Sequence, residues 1–130
     1  NTCSVTSQGD KASRNIIRQA IRLNPNALVI VTGCYAQLKP DEIFNIKGVD
    51  LILGTEEKFS IADHLGDLQK KDIPEVRLTH LSKMEIVNNT FSHGERTRSF
   101  LKIQDGCDYY CSFCTIPYAR GRSRNNSAER

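Results

Sequence analysis

Two short apolar runs constrain this chain more than any other feature. "ALVIVTGC" (residues 27–34) and "GVDLILG" (48–54) are rich in aliphatic and β-branched residues and lack the alternation of a half-exposed strand. Such runs read as strands buried on both faces, as in a parallel sheet. A helical pattern stands beside each. From Ser7 to about Leu23, the residues Ile16, Ile17, Ala20, Ile21 and Leu23 form a helix-period stripe. Lys11, Arg14, Arg18 and Arg22 fall largely on the other faces. "NPN" then ends the helix, because the residue before a proline avoids the helical region. "KPDEIFNI" places a proline at a first helical position with acids in the first turn, which predicts a short second helix. "EKFSIADHLG" predicts a third, ending at glycine.

The order loop–helix–strand–helix–strand–helix is an α/β alternation, a parallel sheet with flanking helices of the Rossmann/flavodoxin-like kind. The chain opens on "NTCSVT", without an initiator methionine, where a loop after a strand is expected but no strand precedes it. The expectation is therefore a sheet whose first strand is missing and whose edge is open to another chain. Right-handed crossovers would bring the strand ends before Cys3 and Cys34 to one edge, where open α/β sheets bind ligands. From about Asp67 to Arg98 the sequence is polar, with short extended pieces such as "EVRL", and reads as a linker carrying one or two strands. "SFLKIQDG" then predicts a new strand. The expected organisation is a truncated α/β domain at 1–66, a linker at 67–98 and the start of a second domain at 99–130.

Composition sets the class. With 130 residues, 38% hydrophobic and 25% charged, the chain fits one domain, or one domain and part of another. No stretch is long enough to span a bilayer and no signal-peptide pattern is present, so a cytoplasmic protein without a membrane partner is expected. A net charge of +3 permits nucleic acid without demanding it. The five cysteines argue against a closed disulfide framework and for metal binding or chemistry.

Three of them cluster in "GCDYYCSFCTIPYARG". Cys107, Cys111 and Cys114 are separated by three and then two residues. A [4Fe–4S] cube takes four ligands, so three thiolates leave one iron free to bind and polarise something else. Ordinary zinc modules favour paired C-x2-C halves, and His64, His80 and His93 show no ligand spacing to the triplet. A zinc site with a distant fourth ligand, or unrelated buried cysteines, remain as plainer readings.

At these residues the chain resembles the radical S-adenosylmethionine (SAM) enzymes, whose signature is three cysteines at this spacing with an aromatic before the third, here Phe113. That resemblance implies a SAM-binding cluster on Cys107, Cys111 and Cys114. It also makes "SFLKIQDG" the first strand of a partial (β/α) barrel. Together with "NTCSVT", the basic helix, "VTGCYAQ" and "GVDLILG", the whole chain resembles the methylthiotransferase family. The resemblance implies a second, auxiliary [4Fe–4S] cluster with Cys3 and Cys34 as two ligands and a third upstream, outside this sequence. From the residues alone, Cys3 and Cys34 read more readily as small buried hydrophobes than as ligands. The implied reaction uses one SAM to methylate a cluster-held sulfur and a second to generate the radical that activates a substrate C–H bond.

Of the family's substrates, "NTCSVT" and "TIPYARGRSR" look most like the class that acts on N6-threonylcarbamoyladenosine beside the tRNA anticodon. Isopentenyladenosine tRNA and a ribosomal-protein aspartate are the alternatives. The implied partners are tRNA, through its anticodon stem-loop, and an electron donor, with the oligomeric state open. Arg14, Arg18 and Arg22, and Arg120, Arg122 and Arg124, offer phosphate-binding clusters, or simply solvated faces. Tyr109, Tyr110 and Tyr118 offer base-stacking rings, or local packing. A different class of reading is a non-catalytic, metal-stabilised RNA-binding module. A truncated chain of this kind is expected to be inactive alone.

Overall fold

The computed structural model describes residues 1–66, 69–84, 87 and 99–127. These fall into two compact units, Asn1–His80 and Leu81–Arg130.

The first unit is an α/β layer. Its sheet has three parallel strands in the order β1 (Ile30–Thr32), β2 (Leu51–Leu53) and β3 (Glu75–Arg77). β2 is central, and all three of its residues are fully buried, which is why its sequence carries no polar alternation. Val31 and Ile52 are register partners and share one sheet face. Against them pack Ile17 of α1 (Ser7–Leu23), Tyr35 and Ala36 of α2 (Cys34–Leu38), Ile43 of α3 (Pro40–Phe44), and Ile46 and Val49 beyond it.

Helix α1 begins where Thr6 accepts the Gly9 amide on its hydroxyl at 3.0 Å, satisfying one of the donors left free in a first turn. It ends at Asn24, whose side chain takes the Asn26 amide at 3.1 Å to form the turn through the proline. Only part of its expected apolar stripe reaches the core. Ile17 is buried and Ile21 packs against it, while Ile16 and Leu23 are mostly exposed. Ile16, Ile17, Ala20, Val29, Ile30 and Val31 line a cavity of about 210 Å³ along the outer edge of β1. At the far end of that edge Thr2 pairs in parallel with Gly33.

The base of the sheet is tied by Asp50, whose side chain is fully buried. Its carboxylate accepts the Val29 amide at 2.8 Å, the Lys71 amide at 3.1 Å and the Lys70 ammonium at 3.1 Å. Burial alone would push this carboxyl up. The two amides and the ammonium outweigh it and hold the group below the usual carboxylate range.

Several elements depart from the sequence expectation or add to it. α2, directly after β1, was not anticipated. The third helix is a 3-10 segment, Glu57–His64, interrupted at Ser60 by a non-helical conformation. There the Ser60 hydroxyl donates to the Glu57 carbonyl at 3.3 Å, a local bond that competes with the regular ladder. β3 comes from the "EVRL" piece and completes the sheet. In the second unit "SFLKIQDG" forms no continuous strand. Its pairings are single-residue bridges, among them Asp105 with Arg124, and Leu101 and Ile103 stay exposed. A strand needs a ladder, and none of the described residues supplies one there. A short helix that the sequence reading left unassigned, α4 (Ile116–Arg120), has Pro117 in its first turn and buries Pro117 and Ala119. The later part of the expected linker, with His93, lies outside the described residues. Among the described residues no helix is long and apolar enough to cross a membrane.

Candidate metal centres

The five cysteines occupy two places, one in each unit, and all five thiols are free. In the first unit, Cys3 and Cys34 are neighbours by backbone pairing. The Thr2 amide donates to the Thr32 carbonyl at 2.7 Å and the Cys34 amide donates to the Thr2 carbonyl at 3.1 Å. These two residues therefore sit at the carboxyl end of β1 on adjacent, parallel segments, the edge where open α/β sheets bind ligands. Gly33 makes that approach possible. Its φ is +107°, and a Cβ there would collide with the Thr2 backbone.

Around this pair runs a network that the sequence reading missed. Ser4, beside Cys3, donates its hydroxyl to Asp10 Oδ1 at 2.7 Å. Lys39, which caps the end of α2, donates to Asp10 Oδ2 at 2.8 Å. Lys39 also lies 3.5 Å from Glu42, which accepts from Arg14 at 2.5 Å and from the Tyr35 hydroxyl at 2.7 Å. Arg14 donates to the Tyr35 oxygen as well, at 2.8 Å. Burial pushes the Tyr35 phenol up against the opposing pull of Arg14. The Tyr35 hydroxyl, with Lys39 and Arg14, holds Glu42 below the usual carboxylate range. No periodicity marks these residues, because the network is closed by pairs 21 to 29 positions apart, Arg14–Tyr35, Arg14–Glu42 and Lys39–Asp10. Arg14 is thus committed to the network, which leaves Arg18 and Arg22 as exposed cations on α1.

Gln37 anchors α2 from its other side. Its Oε1 accepts the Thr55 amide at 3.1 Å and its Nε2 donates to the Thr79 carbonyl at 3.3 Å. The helix that starts at Cys34 is thereby fastened to the ends of β2 and β3.

In the second unit, the segment before the triplet is clamped to the segment after α4. Asp105 and Arg124 exchange backbone hydrogen bonds at 2.9 and 2.8 Å, and the Cys107 amide donates to the Gly121 carbonyl at 3.1 Å. The Asp105 carboxylate takes Lys102 at 2.6 Å and faces Arg120 at 3.5 Å. Burial opposes its ionisation, but Lys102 with help from the Gly106 amide and Arg120 keeps it below the usual range. Gly106, with φ +74°, lets the Arg122 backbone pass where a Cβ would stand. The Cys114 amide closes onto the Cys111 carbonyl at 2.9 Å, so the last two cysteines belong to one turn. Tyr110 has a positive φ of 47° and packs edge-on against Tyr118 at 5.8 Å. Tyr109 and Phe113 are more than four-fifths exposed.

The donor chemistry fits a thiophilic iron–sulfur group, with unpaired thiols on one short loop and two more on one sheet edge. The described side chains do not themselves gather three His, Cys, Asp or Glu groups at metal-holding distance. Arg120, Arg122 and Arg124 divide similarly: Arg124 donates to the Arg120 and Arg122 carbonyls and so serves the loop's own structure.

Residues 1–54 match the family described as uncharacterized protein family UPF0004. Over nearly its whole length the chain is similar to proteins named threonylcarbamoyladenosine tRNA methylthiotransferase MtaB. The Bacillus subtilis (strain 168) protein is 41% identical over 99% of this chain, and the Aquifex aeolicus (strain VF5) protein 42% identical over 100%. A tRNA-2-methylthio-N(6)-dimethylallyladenosine synthase of Clostridium botulinum (strain Hall) is 30% identical over 99% of the chain. The chain spans 29%, 32% and 30% of the length of these relatives.

Proposed function

We infer that this chain, a relative of the tRNA methylthiotransferases, supplies the front domain and the first cluster loop of such an enzyme. The reaction we assign is addition of a methylthio group to C2 of N6-threonylcarbamoyladenosine next to the tRNA anticodon. The observation that carries the assignment is the 41–42% identity, over 99–100% of the chain, to relatives named for that nucleoside. Identity to the relative named for dimethylallyladenosine is 30%, which favours the threonylcarbamoyl substrate.

In this reading Cys107, Cys111 and Cys114 hold the SAM-binding [4Fe–4S] cluster, with Phe113 beside it, and Cys3 and Cys34 are two ligands of the auxiliary one. When bound, the clusters and SAM supply methyl transfer to sulfur and radical activation of the substrate carbon. The chain's own residues shape the sites. The Asp105 clamp and Gly106 hold the backbone that presents Cys107, and the turn at Cys111–Cys114 presents the other two thiols. The exposed rings of Tyr109 and Phe113 offer flat apolar faces to an adenine or a nucleobase. Arg18, Arg22 and Arg122 offer cations to the tRNA backbone. An electron donor is required, and the cytoplasm, where tRNA resides, is the proposed compartment.

Three measurements test this. Anaerobic reconstitution of the full-length protein with iron and sulfide is expected to give a brown protein with about four irons per cluster. Colourless protein holding one tight zinc at the triplet would sink the assignment. Cys107→Ala in the same protein is expected to abolish reductive cleavage of SAM, and retained cleavage would remove Cys107 from the ligand set. Mass spectrometry of tRNA nucleosides from a strain lacking the gene is expected to show loss of the methylthio form of threonylcarbamoyladenosine alone.

A further inference from the structure

We propose that Asp10 is a positioning residue for the auxiliary metal centre, locking the Cys3 loop onto the helix that begins at Cys34. The proposal rests on the assignment of Cys3 and Cys34 to one cluster.

An acid in the first turn of a helix is ordinarily solvated, where it complements the helix dipole. Asp10 occupies the first turn of α1, yet it is 3% exposed, and each of its oxygens is engaged by a different loop. Oδ1 takes the hydroxyl of Ser4, itself 5% exposed, at 2.7 Å. Oδ2 takes the ammonium of Lys39 at 2.8 Å. Ser4 follows Cys3 directly. Lys39 follows the helix Cys34–Leu38 directly, and its own amide donates to the Tyr35 carbonyl at 2.9 Å.

Cys3 is thus tied to the Cys34 element on both sides. Before it, the Thr2 carbonyl receives the Cys34 amide at 3.1 Å. After it, Ser4 reaches Lys39 through Asp10. The α2 end of this bracket is fixed independently, since Gln37 bonds to Thr55 and Thr79. Loosening Asp10 therefore moves Cys3 relative to Cys34, and not α2 relative to the sheet. Ligands around a metal need such outer support, because small displacements change both affinity and electronic properties. Burying the carboxylate is costly on its own and is offset only while both partners stay in place. That makes Asp10 a stiff link rather than a tolerant one.

The test uses the full-length protein carrying Cys107→Ser, Cys111→Ser and Cys114→Ser, so that only the auxiliary cluster forms on anaerobic reconstitution. Asp10→Asn keeps the shape and an acceptor for Ser4 but breaks the ion pair. Ser4→Ala removes a single hydroxyl and covers the case in which Asp10→Asn does not fold. Both are expected to weaken iron retention against a chelator by about tenfold or more, and to shift the electron paramagnetic resonance signal of the reduced cluster. Lys39→Arg, which keeps the charge, is expected to preserve the parent signal. Asp50→Asn, a buried carboxylate at the opposite end of the strands, is expected to lower stability while leaving the signal unchanged. Parent-like iron retention and spectra in both Asp10→Asn and Ser4→Ala overturn the proposal. So does an equal spectral shift in Asp50→Asn, which would make the effect one of general stability. A parent that assembles no cluster overturns the auxiliary-site assignment itself, and the proposal falls with it.

Discussion

Two glycines show how single residues decide the geometry of this chain. Gly33 and Gly106 each precede a cysteine, each has a positive φ, and each leaves room for a neighbouring backbone that a Cβ would strike. The dipeptide "GC" is visible twice in the sequence, but its cause is not, since the obstructing groups come from Thr2 and Arg122. Gly33→Ala is expected to cost about 3 kcal/mol of stability, from a left-handed backbone with a side chain plus the displaced Thr2 segment. Urea unfolding checks this, and a loss well under 1 kcal/mol would show that the segments separate easily. Gly106→Ala is expected to break the Cys107–Gly121 hydrogen bond and to reduce iron retained at the triplet, leaving the first unit's unfolding unchanged. Cys107, Cys111 and Cys114 were legible as candidates from their spacing, and Cys3 and Cys34 from their places after strand ends and from the family resemblance. Their supports, Asp10, Lys39 and Glu42, were not, because a salt bridge between distant positions leaves no periodic trace.

At the level of elements, the continuous apolar runs were read correctly as buried parallel strands, and α1 was read with its ends in place. Both follow from local rules: the period of the apolar residues and the effect of proline. The third helix did not form as a regular one, and no residue in it is buried, so a regular apolar face had nothing to enforce it. β2 owes its alignment with β1 to Asp50, which links the residue before each strand to the chain entering β3. Asp50→Ala leaves the Val29 and Lys71 amides without an acceptor and is expected to cost about 2–4 kcal/mol. Equilibrium denaturation measures it, and Ile43→Ala, removing a wholly buried side chain from α3, gives a comparison at about 2–5 kcal/mol.

For the whole molecule, acid stability follows from its carboxylates. Asp50 and Asp105 are held below the usual range in spite of burial. Glu75 is held down by Lys71 and Arg77. A group whose folded pKa is depressed contributes stability above its unfolded pKa, near 4, and loses it as the pH falls towards the folded value. The urea midpoint is therefore expected to be flat from pH 7 to about 5 and to drop steeply below about 4. Asp50→Asn should flatten part of that drop, and an unchanged profile would deny Asp50 its share. By itself, the sequence determined the α/β class, the two strands, the long helix and the five thiols, because these depend on neighbours within a few residues. Tertiary structure alone decided that Thr2 lies against Gly33, that Asp10 joins Ser4 to Lys39, and that the "EVRL" piece pairs with β2. Each of these joins residues about 20 or more positions apart, or buries a charge whose partner only the folded chain supplies.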